Sequence, residues 1–373
     1  MKKLIYILAL STLALLPNIT TAQNSVPKDT IFKAQVIEIL EETSTTLSDG
    51  ITVEQQNVRL IGLENEFQNK KVDFIGIGNF DVVNKNIFKL GDTVLVAAVY
   101  DNEGNVDYYI TDFVRTKSLK ILFILFLITL IGVGGWKGFR SAISLAISFL
   151  IIMQFIVPEI LSGSDPIIIT LIGSLLIFTT SIYLTEGFKP VSHICIVSVI
   201  ISLTITIAVS WFFVEIAKIS GLSSEETGSL MYVGNNLIHF KGLLLTGIII
   251  GALGVLDDVI IAQVASVEEI HNTDKTLSKK KLFDKAFRVG VSHISSMTNT
   301  LFLAYTGASL PLIVLFASGT SAFSNFGQII NNEEIATEIV RTLSGSIGLI
   351  LAVPIATSVA VWWVKRTQHS ERH

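Results

Sequence analysis

The chain has 373 residues, of which 50% are hydrophobic and only 16% are charged. Soluble domains usually carry about 25% charged residues, so this composition indicates a protein of the lipid bilayer. The net charge of −4 averages over two unlike regions, since charges are frequent as far as Lys120 and sparse beyond it, and it gives no indication of nucleic-acid binding. The single cysteine, Cys195, excludes an intramolecular disulfide.

The N-terminus has the pattern of an export signal. Lys2 and Lys3 precede the apolar stretch 4–16, and a small-residue segment ends at Ala22. An apolar run of about 13 residues is short for a spanning helix, which needs about 20. We therefore expect residues 1–22 to be a cleaved signal peptide. A retained anchor, the alternative, would leave the following segment on the same side of the membrane.

Residues 26–115 are predicted to form an exported domain of β-strands. Apolar and polar residues alternate there, with many β-branched and aromatic side chains. The alternating stretches are 31–40, 53–63, 71–77, 93–100 and 107–114. Turns are predicted at Gly91-Asp92 and at residues 101–104. Short strands in this number favour a small barrel of the OB or SH3-like type.

The predicted β domain has no catalytic or metal-binding pattern. It contains no histidine, and its acidic residues are dispersed without the spacing of metal ligands. A solvated cap over the membrane part is the simplest interpretation. Binding of a ligand or of the cell wall is the alternative.

The segment 118–364 contains the candidate membrane spans, each long and apolar enough to cross a bilayer. They cover about 118–136, 139–160, 166–185, 190–216, 242–267, 290–317 and 338–364. Basic residues cluster at 137–140, at Lys189, in the loop 275–288 and in the tail 365–373, whereas the alternate loops are acidic or neutral. Basic loops stay in the cytoplasm, which predicts that the β domain is outside and the C-terminus inside.

The predicted fold class follows from these two regions. We expect an α-helical polytopic protein of the cell membrane, with about seven transmembrane helices and an N-terminal extracytoplasmic small β-barrel-like domain. A short cytoplasmic tail, residues 365–373, completes the chain.

The fifth span departs from a simple apolar helix. It contains Gly251, Gly254 and, near its midpoint, the pair Asp257-Asp258. An aspartate at the centre of a spanning helix costs about 2.5–3.5 kcal/mol on translocon scales, and neighbouring residues point about 100° apart, so the two acids cannot share a face. An intramembrane carboxylate is by default a site that binds a cation or relays a proton. Alternatively, the helix breaks at Gly254 and both acids lie among the headgroups.

The sixth span carries Thr298, Asn299 and Thr300 near its middle. If the fifth and sixth spans form a hairpin through residues 268–289, this polar stretch can face the two aspartates. Hydroxyl and amide oxygens beside a carboxylate suit a hard cation or a proton pathway, although the sequence does not decide whether a metal is bound. Interhelical hydrogen bonding as packing is the alternative.

Other polar residues have structural predictions. Glu338 and Arg341 lie three residues apart at the outer edge of the seventh span and are expected to pair as a clamp. Gly251 and Gly254 are structural residues that interrupt the fifth span, which is compatible with a kink, a break or a partly re-entrant course there. The motifs H-E-x-x-H, G-x-S-x-G, G-x-G-x-x-G and the P-loop are missing. The other spans offer no second aspartate for an aspartyl protease. We predict no enzymatic activity and no cofactor.

Several long stretches of the membrane part carry a family resemblance. They are GVGGWKGFR at 132–140, GLSSEE at 221–226, GIIIGALGVLDDVIIAQVAS at 247–266, TNTLFLAYTGASL at 298–310 and IATEIVRTLSGSIGLILAVP at 335–354. In these stretches the chain resembles the YibE/F-like family of multi-pass bacterial membrane proteins. One aspartate precedes the valine in the family pattern, so the resemblance implies that Asp258 is the functional acid and that Asp257 replaces a usually apolar residue. It implies topology and important segments without supplying a function.

Two functions are therefore open. The first is a permease-like transporter in which Asp258 and Asn299 line a cation- or proton-coupled site for a small ion or solute. The second is a non-transporting scaffold, receptor or envelope-homeostasis factor whose exported domain binds a partner. Besides the lipid bilayer, a second copy of the chain or another membrane protein is the expected partner, and nucleic acid is not.

Overall fold

The structure is a computed structural model, and it describes residues 30–46, 52–78, 87–100, 106–233, 238–318 and 325–370. The predicted signal peptide and the predicted turn at 101–104 lie outside the described residues. The chain divides into two compact units, with the boundary between Thr129 and Leu130.

The first unit is built on one antiparallel sheet. Its strands are β1 (Thr30–Thr46), β2 (Thr52–Gly62), β3 (Lys71–Ile75), β4 (Thr93–Tyr100) and β5 (Val106–Phe113). The predicted strands are confirmed, as is the turn at Gly91, whose φ is +90°. The strand order is β3-β2-β1-β4-β5, and these strands form an antiparallel half-barrel sheet.

The alternation that predicted the strands also creates the core of the half-barrel. Successive side chains of a strand point to opposite faces, and in β1 Phe32, Ala34 and Val36 are buried while their neighbours are not. Phe32 stacks on Phe67, with 4.0 Å between the ring centroids. On the solvent face, Arg59 links two strands by donating to Asp73.

The second unit is helical, and its first helix begins within the first unit, before the boundary at Leu130. Its helices are α1 (Thr116–Ile151), α2 (Val157–Leu161), α3 (Pro166–Thr185), α4 (Pro190–Ile216), α5 (Glu225–Val233), α6 (Phe240–Thr273), α7 (Lys279–Ala308), α8 (Leu310–Ala317), α9 (Phe326–Ile330) and α10 (Glu333–Ser370). Among the described residues, 5 helices are long and apolar enough to cross a membrane, and α7 with α8, bent by 64°, would make 6.

The first two predicted spans appear as one helical run of 46 residues, Thr116–Leu161. That run is broken at Gly135, whose φ of 55° and ψ of −135° are not helical. A Cβ added at Gly138 would collide with the Leu130 carbonyl, although residues eight apart in a straight helix are separated by about 12 Å. The chain therefore turns sharply at Gly135, close to the boundary predicted between the two spans.

The helical core lies between α3, α4, α6 and α10. It contains Phe178, Val199, Leu256 and Ala356, each at most 1% exposed. Small residues bring the helices close, since a side chain at Gly348 would collide with Thr206. In contrast, none of the most apolar window of α1 is buried within the described unit.

Charged residues separate to the two ends of the bundle. At one end, which we call the basic end, Lys137 pairs with Glu186 at 3.4 Å, and the Lys365 ammonium donates to the Lys275 carbonyl at 3.0 Å. At the other, the acidic end, the Glu333 carboxylate accepts from the backbone and hydroxyl of Ser220, both at 2.7 Å. This segregation is the one that the alternating basic and acidic loops predict.

Candidate functional site

The candidate site depends on how α6 packs against α7. Tyr305 of α7 reaches α6, because a Cβ on Gly251 would collide with its hydroxyl. Nearer the basic end, Gln263 of α6 donates to the Ala286 carbonyl of α7 at 3.0 Å. The helices are thus antiparallel neighbours. Asp257 lies six residues from Gly251, and six residues from Tyr305 lead to Asn299, so Asp257 and the adjacent Thr298 lie at about the same depth.

The two aspartates point to different neighbours of α6. Thr246 marks the side facing α3, since its hydroxyl lies 2.7 Å from that of Thr170. Asp257 is eleven residues further on, about 20° beyond three full turns, so it faces α3 as well. It is half-buried, and its Oδ1 is enclosed without a hydrogen-bond partner in the described part of the chain.

Asp258 lies on the open side of α6. It follows Gly251 by seven residues, about 20° short of two turns, and therefore shares the edge that approaches α7. Its side chain is exposed. Gly254, one turn earlier, is also exposed, and a Cβ there would meet no described atom within 4 Å. Gly254 and Asp258 thus lie on one exposed strip of the α6 surface, which we call the α6 groove.

The three polar residues of α7 diverge. Thr298 is half-buried, and its Oγ1 has no hydrogen-bond partner among the described residues. Thr300 is exposed and donates to the Ser296 carbonyl of its own helix at 3.0 Å. Asn299, also exposed, is nine residues past the buried Gly290 and hence about 180° away from the helix contacts. The structure brings these residues to the depth of the aspartates without gathering all their side chains into one cluster.

A preformed metal cage is not seen at this site. No group of three histidine, cysteine, aspartate or glutamate side chains in the described ranges could hold a metal ion. An exposed carboxylate in the middle of an apolar helix nevertheless needs water or protein beside it, because hydrocarbon cannot solvate a charge. Asp258 therefore marks a place that either holds water or is covered by another protein.

The family model of the YibE/F-like protein matches residues 122–366, which is more than half of the chain. The chain belongs to the YibE/F-like family. The match confirms the resemblance and covers the helical unit from within α1 to residue 366 of α10, leaving the half-barrel outside it. No curated protein and no solved structure matches the chain.

In this YibE/F-like protein, a charged cavity opens at the acidic end. Its volume is about 720 Å³, and its lining includes Glu226, Tyr305, Glu334, Glu338 and Arg341. The predicted clamp is present, with Arg341 Nη1 at 3.2 Å from Glu338 Oε1. Because Tyr305 also touches Gly251, the inner wall of this cavity reaches the glycine stretch of α6.

Tyr305 is the member of this arrangement that the sequence did not single out. A lone tyrosine within an apolar span belongs to no recognisable site motif, although a phenol in a membrane usually finds a polar or wet neighbour. Its position opposite a glycine on the partner helix is the signal that would have identified it, once the pairing of α6 with α7 is known.

Proposed function

We propose that this YibE/F-like protein is a permease-like transporter, with a cation- or proton-coupled site in the α6 groove. The observation that carries the proposal is the exposed carboxylate of Asp258, halfway along an apolar helix of 34 residues. A charge in that position is costly. Charged residues within spans are therefore rare, and they usually mark an ion or proton pathway. No enzymatic step is proposed.

The shape of the neighbouring helices supports a transport site. Transporters build midplane sites from interrupted helices, whose freed backbone groups bind ions. Here α7 ends at Ala308 and α8 continues from Leu310 after a bend of 64°. The glycine at 254 leaves the surface of α6 uncovered one turn from Asp258, although α6 itself continues without a break from Phe240 to Thr273.

The acidic cavity supplies an approach for a cation. Three carboxylates line it, those of Glu226, Glu334 and Glu338, against the single guanidinium of Arg341. An excess of negative charge in a cleft concentrates cations by electrostatic focusing. We propose that a cation or proton enters here and passes Tyr305 to reach the α6 groove.

The orientation of the chain is part of the same proposal. We propose that the basic end faces the cytoplasm of a bacterial cell, with the half-barrel outside. A reporter that is active only in the cytoplasm, fused after residue 373, should be active. Inactivity of that fusion, together with activity of an export-dependent reporter fused at the same position, would refute this orientation.

The neighbouring aspartates provide a matched pair of variants. Asp258→Asn is expected to abolish ion-dependent uptake or efflux in vesicles, whereas Asp257→Asn, on the α3 side, is expected to retain most of it. Insertion and yield should equal those of the unaltered protein in both. Asn299→Ala is a third variant. A smaller loss of flux is expected for it, because the Asn299 side chain points away from the helix contacts. Normal flux in Asp258→Asn would refute the proposal.

A second candidate function has an observation of its own. A cleft of about 700 Å³ lies between the β3 and β5 edges of the half-barrel, and Arg59, Asp73 and Tyr108 are among its lining residues. Paired charges and an aromatic ring suit a peptide or saccharide partner. If deletion of residues 26–115 removes the cellular phenotype while Asp258→Asn is silent, the scaffold or receptor function is the correct one.

A further inference from the structure

A pocket of about 300 Å³ lies at the basic end, between the first turn of α4, the last turns of α6 and the end of α10. We call it the basic-end pocket. Its apolar wall includes Val191, Val264 and Trp363, and its polar wall is formed by Glu268, His271, Asn272 and Lys275. It is remote from Asp258, ten residues or about 15 Å further along α6 at Glu268.

His271 is the strongest sign that the pocket is a binding site. It is 7% exposed, and its Nδ1 is enclosed with no hydrogen-bond partner in the described ranges. A buried polar atom left without a partner is destabilising by about 1–3 kcal/mol. Because His271 lines the pocket, a ligand inside the pocket would supply the missing partner.

The first turn of α4 adds a preference for an anion. This helix has 27 residues and begins at Pro190, and no described side chain caps it at Lys189. The N-terminus of such a helix carries a partial positive charge and suits a phosphate. Lys275 lines the same pocket, so a second positive group is present for the same anion.

Glu268 gives the polar wall of the basic-end pocket a negative group beside the positive group of Lys275. Its carboxylate lines the pocket together with Lys275, so a ligand with a phosphate alone would meet one repulsive group. A ligand that also carries an ammonium group satisfies both charges. The apolar wall and Trp363 favour a molecule with an apolar continuation, as at the headgroup level of a membrane.

From these contacts we infer that the basic-end pocket binds a phosphoethanolamine group, with its phosphate near the first turn of α4, His271 and Lys275 and its ammonium near Glu268. The group has two sources, the headgroup of a phospholipid in the adjoining leaflet and a soluble phosphoethanolamine. The pocket volume suits a headgroup rather than a whole lipid.

The test is native mass spectrometry of the full-length protein after delipidation in detergent. Phosphatidylethanolamine is expected to bind about tenfold more tightly than phosphatidylglycerol, which lacks the ammonium, since one charge-assisted hydrogen bond is worth about that factor. Soluble phosphoethanolamine is the third ligand. If it displaces the lipid, the headgroup alone is recognised; if the lipid binds and is not displaced, the site takes its ligand from the membrane.

Exposed residues give variants that should fold normally, each with a close control. Glu268→Gln should remove the preference between the two lipids, and Lys275→Gln should weaken both by about tenfold. Glu269→Gln and Lys279→Gln, which change charges outside the lining, should bind like the unaltered protein. Equal affinity of the unaltered protein for both lipids, absence of binding, or equal losses in the controls would overturn the inference.

Discussion

Replacing Gln263 by leucine measures how much one buried amide contributes to the stability of the three helices that it joins. Gln263 is 2% exposed, and its Nε2 donates to the Ala286 carbonyl at 3.0 Å and to Thr357 Oγ1 at 2.7 Å. Neither acceptor is orphaned by the change, since Thr357 Oγ1 also donates to the Val353 carbonyl and Ala286 lies inside a helix. Interhelical hydrogen bonds in membranes average about 0.6 kcal/mol, so losing both should cost about 1 kcal/mol.

The assay is unfolding in mixed micelles, titrated with a denaturing detergent and followed by tryptophan fluorescence. All four tryptophans lie in the helical unit, at Trp136, Trp211, Trp362 and Trp363, so the signal reports on that unit. An unchanged midpoint would show that the amide contributes nothing. A loss above about 3 kcal/mol, the size found when a buried charge loses its partner, would equally refute the reasoning.

A second variant checks the geometry behind that number. A Cβ at Gly290 would collide with Val353 and approach the Gln263 amide oxygen to 2.7 Å, so Gly290→Ala should cost about 1–3 kcal/mol through overpacking. Combining Gln263→Ala with Gly290→Ala removes one of the two side chains that the new Cβ would approach too closely. The two changes should therefore be less destabilising together than the sum of their separate effects, and strict additivity would contradict the contact.

Three further outcomes follow from individual contacts. Gly221 has a φ of +81°, and a Cβ there would lie 2.6 Å from the Phe240 carbonyl, so Gly221→Ala should lower the thermal midpoint of the helical unit by the equivalent of more than about 1 kcal/mol. Phe32 is fully buried, and Phe32→Ala should destabilise the half-barrel by about 3–5 kcal/mol, measured by hydrogen exchange of its strands. Arg59 donates to Asp73 and holds the pKa of that carboxyl below its usual range; the stabilisation is present above the unfolded pKa of about 3.9 and is lost as the pH falls through the folded value. The protection factors of the strand amides should therefore fall as the pH is lowered through that value, and Arg59→Gln should remove that dependence.

The half-barrel was readable from the sequence because each strand buries one face. In a half-buried strand the side chains alternate between a buried and an exposed face. The apolar residues Phe32, Ala34 and Val36 follow that alternation in the sequence. The ends of β4 coincide with the predicted stretch 93–100. Strand order was not readable, because β1 pairs with its neighbour β2 and also with β4, and the second pairing depends on contacts distant in the chain.

The candidate site was only partly predictable. Hydropathy located the candidate spans, and the positions of Asp257 and Asp258 within the fifth apolar run put these charges near mid-helix. Both predictions depend only on local composition. Which neighbour each acid faces depends on the rotation of α6, and Thr246 with its bond to Thr170 fixes that rotation. The direction of Asn299 follows in the same way from the packing of Gly290 against Val353. Side-chain direction is thus a tertiary property that no window of sequence contains.

The single cysteine has a practical consequence for the α6 groove. Cys195 is fully buried among apolar side chains of the helical core, so the folded protein presents no native thiol to a water-soluble reagent. A cysteine introduced at position 254 would then be the sole reactive thiol, and its rate of modification would report directly on whether water reaches mid-membrane depth. If a transported cation slowed the modification of that thiol, position 254 would lie on the transport pathway. No other residue of the chain would have to be changed for this experiment.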